Sequence, residues 1–136
     1  MFKAFTLIEL LTVLAVIAIL LTIVTSFAVN AVHQARATRV AMNLRNIKAA
    51  AESYISVEKP ATQTSFDLNF LVSKSYLTSS HELAHYTLFA TRNDEAYHVT
   101  ITYSAIVDPV RLQSVLPGAT VVQTGVIYSF VVPIWW

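Results

Sequence analysis

The feature that most constrains the fold is a long apolar segment near the amino terminus. From Leu10 to Ala35 the chain contains no Asp, Glu, Lys or Arg. A helix needs about 20 apolar residues to cross the roughly 30 Å hydrocarbon core of a bilayer. Charged residues make up only 12% of the chain, against about 25% in soluble domains. The segment therefore predicts a membrane-inserted helix, and the remainder of the 136 residues suffices for one modest domain.

A single acid, Glu9, stands at the beginning of this segment, and it is the only charged residue between Lys3 and Arg36. A carboxylate in a membrane helix is costly, so it is by default a functional residue that needs a partner, which can belong to another chain. Two other interpretations are a cleaved signal peptide, with Ala35 and Ala37 imitating its small-x-small site, and a plain membrane anchor. The apolar run is longer than the about 7–15 residues of a signal peptide, and neither interpretation explains Glu9.

The residues around Glu9 carry a resemblance to a known family. The sequence from Lys3 to Leu11 is KAFTLIELL, and apolar residues follow it. This pattern resembles the class III signal peptide of type IV pilins and type II secretion pseudopilins. The resemblance implies a leader peptide at residues 1–4, cleavage between Ala4 and Phe5 by a prepilin peptidase, and N-methylation of Phe5. Two features depart from the family: Ala4 stands where glycine is most common, and Ala18 and Ser26 stand in the region where many pilins have Gly and Pro.

Cleavage at this position gives Phe5 a cationic α-amine, four residues before Glu9. Pairing of Glu9 with the Phe5 amine of a neighbouring subunit removes two unpaired charges from a medium of low dielectric and penalises wrong axial registers. The resemblance then implies a prepilin in the inner (cytoplasmic) membrane, pilus assembly machinery as a partner, and a homo-oligomeric extracellular filament.

The helical pattern continues beyond the apolar segment and predicts one helix from Phe5 to Glu58. Lys59-Pro60 ends it, because the residue before a proline avoids the α region. We assign residues 5–32 to the transmembrane and assembly part and residues 33–59 to an amphipathic half. Apolar residues at alternating spacings of four and three predict its buried stripe: Val40, Leu44, Ile47, Ala51 and Tyr54 or Ile55.

Four basic residues follow the apolar segment before the next acid: Arg36, Arg39, Arg45 and Lys48. Three interpretations compete, which are a solvated helix face, ion pairs with Glu52, Glu58 or Asp67 of neighbouring subunits, and phosphate binding. We rank them in that order. The net charge of +1 and the lack of interleaved aromatic residues indicate no direct nucleic-acid site.

Residues 60–136 predict a globular head with an antiparallel sheet of about four strands. The period-two pattern predicts a hairpin of residues 86–90 and 97–103 around Asn93-Asp94, and two further strands at residues 120–124 and 126–132 with a turn or bulge at Gly125. Short helices are expected near residues 68–75 and after Asp108-Pro109. The fold class is therefore α+β, a long N-terminal helix packed on a small sheet in a pilin-like lollipop. We expect Trp135 and Trp136 to pack in the core in preference to a subunit contact.

The sequence His81-Glu82-Leu83-Ala84-His85 matches the H-E-x-x-H zinc motif. A zinc site needs this motif on an α-helix together with a third ligand. Leu88 and Thr91 stand where one extended form of the motif requires Gly and His, and strand-like residues begin at Tyr86. We therefore treat His81, Glu82 and His85 as weak metal candidates and expect no cofactor and no enzyme.

The expected function is that of a structural subunit of a type IV pilus. The alternatives are a type II secretion pseudopilin, a minor or competence pilin and, remotely, a membrane-anchored zinc hydrolase. The pattern does not distinguish cell adhesion, twitching motility and DNA uptake.

Overall fold

The computed structural model describes residues 4–61, 65–78 and 81–136, apart from the side chains of His81 and Glu82. Residues 1–3 of the predicted leader, which spans residues 1–4, lie outside this part of the chain. The chain divides into two compact units, Met1–Ala35 and Arg36–Trp136. The elements are α1 (Leu7–Glu58), β1 (Ser65–Asp67), α2 (Leu68–Ser73), a 3-10 helix (His81–His85), β2 (Tyr86–Arg92), β3 (Ala96–Tyr103), α3 (Pro109–Val115), β4 (Thr120–Val122) and β5 (Gly125–Pro133).

The first unit contains the amino-terminal part of α1. All described residues of this unit are exposed. An 18-residue window of α1 has a mean hydropathy of 2.9, and none of the window is buried within the protein. Among the described residues, α1 is the one helix long and apolar enough to cross a membrane. Such a continuous apolar surface indicates lipid or other helices as its surroundings.

The second unit contains the carboxyl-terminal part of α1, which packs on one face of the sheet. The buried side chains of α1 confirm the predicted stripe and extend it: Ala37, Val40, Ala41, Leu44, Ile47, Ala50, Ala51, Tyr54 and Ile55. They share one hydrophobic core with inward-facing residues of β2 and β3, such as Leu88, Tyr97 and Ile101. The amphipathic pattern after Ala35 thus determines where the helix contacts the sheet.

The end of α1 at Glu58 agrees with the prediction. Lys59 has a φ of 44°, and its N–H donates to the carbonyl of Ile55, which ends the helix just before Pro60. Arg92 Nη1 donates to the carbonyl oxygens of Pro60 and Ala61, both at 2.7 Å. A charged donor on β2 therefore fixes the chain where it leaves the helix.

The sheet is antiparallel throughout and has the strand order β1-β2-β3-β5-β4. Within the described residues it has five strands, whereas we predicted about four. The additional strand is β1, which pairs Phe66 with Ala90 of β2. A segment of three residues is too short to show a period-two pattern, and it becomes a strand through its pairing with β2. The predicted β2–β3 hairpin is confirmed, with Tyr86 opposite Tyr103 and Arg92 opposite Tyr97.

The connection between β3 and β5 contains a helix that begins as predicted. The Asp108 carboxylate caps α3, because its Oδ1 accepts from the N–H groups of Val110 at 3.0 Å and Arg111 at 3.3 Å. Gly125 begins β5 with a φ of 155°. A Cβ atom at this position would overlap the carbonyl oxygen of Tyr103, so only glycine fits.

The two carboxyl-terminal tryptophans lie on the surface, and the prediction that they pack in the core was wrong. Trp135 is 69% exposed and Trp136 is 37% exposed. The Trp135 ring lies 4.4 Å from Lys59 Nζ, a cation–π contact at the end of α1. Both indoles follow Pro133, where β5 ends opposite the first residue of β3. The hydrophobic core of the second unit is therefore formed without Trp135 and Trp136.

Candidate functional site

The candidate site is the segment Ala4–Glu9, where α1 begins. The Thr6 hydroxyl accepts from the Glu9 N–H at 3.3 Å. Glu9 Oε2 in turn accepts from the Thr6 N–H at 2.8 Å and from the Thr6 hydroxyl at 2.7 Å. These reciprocal bonds form a capping box, in which a threonine before the helix and a glutamate three residues later satisfy each other's backbone donors. Glu9 therefore stabilises the beginning of its own helix.

The capping box also determines the direction of the Glu9 carboxylate. Both bonds from Thr6 end on Oε2, and no described residue donates to Oε1. Glu9 and Thr6 are both exposed in the first unit. Because the carboxylate is held by two bonds on Oε2 and Glu9 is exposed, Oε1 is available as a second acceptor.

The Ala4–Phe5 bond lies in the non-helical stretch that precedes α1. Ala4 is exposed, and the Phe5 side chain is 80% exposed. Peptidases act on exposed backbone outside regular structure, so this bond is sterically suitable for cleavage. Cleavage there retains the Phe5–Thr6 amide, and with it the Thr6 N–H that donates to Glu9. The capping box is therefore compatible with the cleaved chain.

Thr6 is a site residue that the sequence analysis missed. The signal was present, because Thr6-x-x-Glu9 before an apolar run is the sequence form of a capping box. Glu9 was interpreted only as a charge in need of a partner. The structure adds a second role, in which the carboxylate is already hydrogen-bonded within its own chain before a partner arrives.

The four basic residues beyond the apolar segment do not share one environment. Arg45 donates through Nη2 to the carbonyl of Val115, at the end of α3. Lys48 Nζ lies 3.6 Å from Glu52 Oε1 and 5.2 Å from the centre of the Phe130 ring. Arg36 and Arg39 are exposed. Arg45 and Lys48 therefore contribute to packing within the second unit, and Arg36, exposed where the apolar segment ends, is the better candidate for contact with a neighbour.

The H-E-x-x-H sequence lies on a 3-10 helix of five residues. At three residues per turn, positions four apart are separated by about 120° around the axis, against about 40° in an α-helix. His85 is exposed, and its ring meets the Tyr103 ring edge-on with 6.4 Å between the ring centres. The side chains of His81 and Glu82 lie outside the described part of the chain. Among the side chains that are described, no three His, Cys, Asp or Glu lie close enough together to hold a metal ion.

Comparison with known families identifies a known sequence motif in this amino-terminal segment. Residues 1–25 match a family model described as the prokaryotic N-terminal methylation motif. The chain carries the class III signal peptide of type IV pilins and pseudopilins. The resemblance identified from KAFTLIELL is therefore confirmed, whereas cleavage between Ala4 and Phe5 and methylation of Phe5 stay predictions. Neither a curated protein nor a solved structure shows significant similarity to the chain.

The pilin-type signal peptide has consequences for the whole chain. It implies processing by a prepilin peptidase and assembly into a filament in general, and together with the apolar part of α1 it fits a membrane-anchored prepilin. The long helix packed on an antiparallel sheet is the pilin-like α+β fold. The matched residues include Phe5, Thr6 and Glu9, so the motif and the capping box occupy the same segment.

Proposed function

We propose that the chain is a structural subunit of a type IV pilus, in which the amino-terminal parts of α1 form the core of a homo-oligomeric filament. The observation that carries the proposal is the exposed, hydrogen-bonded Glu9 carboxylate at the beginning of an unburied apolar helix. In the inner membrane this helix is covered by lipid, and in the filament it is covered by the helices of other subunits. In the filament, the helices of neighbouring subunits thus take the place of lipid around the same apolar surface.

Processing supplies the cation that Glu9 needs. The peptidase removes residues 1–4 by cutting between Ala4 and Phe5, and N-methylation of Phe5 leaves its amine cationic. Since Thr6 of the same chain occupies Glu9 Oε2, the amine of a neighbouring Phe5 approaches Oε1. Loss of one partner from a buried charge pair costs about 3–5 kcal/mol, which is more than about 100-fold in the affinity of each added subunit.

The remaining parts of the chain take matching roles. Residues 5–32 form the membrane and filament-core part, residues 33–59 connect it to the head, and residues 60–136 form the filament surface. Arg36 is exposed at the point where the apolar segment ends, and there it pairs with an acid of a neighbouring subunit. The mature filament is extracellular.

A pseudopilin or a minor pilin is the second candidate, because the methylation motif occurs in pilins and pseudopilins alike. The candidates differ in the amount and length of polymer. Abundant long filaments sheared from cells support a major pilus subunit, whereas short or scarce polymer supports the second candidate.

The test separates the charge of Glu9 from its capping role. Glu9→Gln retains a capping-box side chain but removes the charge, and Glu9→Val removes both. A matched control is Thr12→Val, which deletes a hydroxyl one turn later that bonds only to the Ile8 carbonyl at 2.7 Å. The wild-type chain and each variant are expressed in cells that have pilus assembly machinery. Sheared filaments are measured by electron microscopy and immunoblotting, and membrane-inserted protein is measured in parallel.

We expect Glu9→Gln and Glu9→Val to accumulate in the membrane without sheared filaments, and Thr12→Val to yield wild-type amounts. Wild-type filament yield from Glu9→Gln would contradict the charge pairing and leave capping as the function of Glu9. Absence of any polymer from the wild-type chain would contradict the pilus proposal itself.

A further inference from the structure

The sheet has a second face that α1 does not cover. In β2, Thr87, Phe89 and Thr91 are exposed, whereas the residues between them are buried against the core. The register places Asp67, Phe89, Thr100 and Ser129 side by side across β1, β2, β3 and β5. We define the outward positions of the five strands as the outer sheet face.

The outer sheet face is rich in hydroxyl groups and nearly free of charge. Asp67 is the only Asp, Glu, Lys or Arg among the outward positions of the described strands. Surfaces that stay solvated without a partner typically carry about 25–35% charged residues. Seven hydroxyl side chains are distributed over the face: Ser65, Thr87, Thr91, Thr100, Thr102, Thr120 and Ser129. A partner for such a face is uncharged and rich in hydrogen-bonding groups.

An exposed aromatic ring lies on this face, beside a cleft at the β1 edge of the sheet. Phe89 is 63% exposed. A cleft of about 310 Å³ at the β1 edge is lined by Phe89, Phe70, Ser65 and Asp67 among others, which is near the lower end of the usual volume of ligand sites. Asp67 Oδ1 accepts from the Phe70 N–H at 2.9 Å and so holds the carboxylate in place, while Oδ2 receives no bond from a described residue. The Asp67 carboxylate is therefore a fixed acceptor in the cleft that Phe70 and Phe89 also line.

We propose that the outer sheet face binds an uncharged polysaccharide, with one sugar ring seated on Phe89 in the cleft. The apolar C–H face of a sugar ring packs on a phenyl ring, two adjacent sugar hydroxyls donate to a carboxylate such as Asp67, and the rows of Thr and Ser hydroxyls exchange hydrogen bonds with the following sugars. An anionic polymer fits poorly, because the face has no Lys or Arg and carries Asp67.

A second copy of the chain is a poorer occupant of this face. The centres of protein interfaces are enriched in large aromatic side chains, Met and Arg and are depleted in serine. The outward positions of the described strands hold one phenyl ring and no Met or Arg, and their aliphatic side chains, such as Val122 and Val131, lie among hydroxyl groups. The proposal concerns the second unit alone and does not depend on filament assembly. Binding belongs equally to a membrane-anchored subunit and to a polymer.

The test uses the full-length chain in detergent micelles and two insoluble uncharged polysaccharides, cellulose and chitin, with anionic alginate beads as the charged comparison. Bound protein is measured against free concentration for the wild type, Phe89→Ser and Asp67→Asn. Asparagine also caps helices, so the second variant retains α2. Ile106→Ser is the matched control, because Ile106 is 79% exposed and lies outside the strands. Near-UV circular dichroism compares the folds.

We expect saturable binding to cellulose or chitin and none to alginate. Phe89→Ser weakens binding about tenfold or more, since it removes the apolar contact, and Ile106→Ser leaves binding unchanged. Asp67→Asn weakens binding severalfold and keeps the test decisive if Phe89→Ser does not fold. The proposal is overturned by absence of binding to both uncharged polymers, by preference for alginate, or by equal binding of the wild type and both face variants. Self-association that disappears in Phe89→Ser also overturns it and assigns the face to a second copy.

Discussion

The replacement of Gly125 by alanine tests the geometry of the head most sharply. Gly125 has a φ of 155°, a conformation that L-residues rarely adopt. A Cβ atom there would overlap the Tyr103 carbonyl oxygen and lie 3.1 Å from the Tyr103 carbonyl carbon. Both neighbours are backbone atoms of Tyr103, the last residue of β3, which pairs with β5, so no side chain can move aside. Backbone strain of about 1–3 kcal/mol and overpacking of about 1–3 kcal/mol add to a loss of about 4 kcal/mol.

Gly118→Ala is the matched control for this prediction. Gly118 also has a positive φ, of 97°, but the nearest atom to its added Cβ is Tyr128 Cε2 at 3.9 Å, an ordinary contact. The control therefore suffers backbone strain without overlap and loses about 1 kcal/mol. Thermal unfolding of both full-length variants in detergent measures the difference. For a head of this size, about 4 kcal/mol lowers the Tm by roughly 20 °C and about 1 kcal/mol by roughly 5 °C. Equal melting temperatures for the two variants would refute the overlap.

Two further predictions concern the junction between α1 and the sheet. Arg92→Met removes the charged donor to the carbonyls of Pro60 and Ala61 and should lower the free energy of unfolding by about 2 kcal/mol in urea titrations, and an unchanged midpoint would contradict this role. Burial, reinforced by nearby Tyr97, Glu58 and Tyr76, raises the pKa of Tyr54 above its ordinary value of 10.0. The unfolded chain therefore releases this proton first, so stability is retained below about pH 10 and declines above it. Guanidinium titrations at about pH 9 and about pH 11 should show a smaller decline for Tyr54→Phe than for the wild type, and equal declines would contradict it.

Local sequence signals predicted the elements whose causes are local. Asp108 before Pro109 predicted a capped helix, and the structure shows the Asp108 carboxylate accepting from two N–H groups of α3. Asn93-Asp94 between two period-two segments predicted the β2–β3 hairpin. Lys59-Pro60 predicted the end of α1 to the residue. In each case a few neighbouring residues determine the backbone conformation.

The features that were missed depend on residues far apart in the sequence. Strand β1 exists because Phe66 lies opposite Ala90, and a segment of three residues carries no period of its own. Trp135 and Trp136 have the composition of core residues, but they follow the end of β5 and remain exposed.

The candidate site was predicted in part. The apolar segment indicated Glu9 as a functional residue, because it is the one acid at its beginning. The KAFTLIELL pattern predicts cleavage between Ala4 and Phe5, which stays a prediction. The capping role of Thr6 was missed because the same residues were interpreted through the charge of Glu9 alone. The contacts of Arg45 with Val115 and of Lys48 with Phe130 required the folded head, since the sequence places Arg36, Arg39, Arg45 and Lys48 in one undivided group.

The most direct test of the account is the identity of the amino terminus in the exported protein. Mass spectrometry of protein sheared from cells measures both the first residue and its methylation. The account predicts a chain that begins at Phe5 and carries an N-methyl group, which leaves Glu9 and a cationic amine in the same segment. A chain that still begins at Met1, or one that begins well beyond Phe27, lacks either that amine or the apolar helix and would contradict the proposed filament.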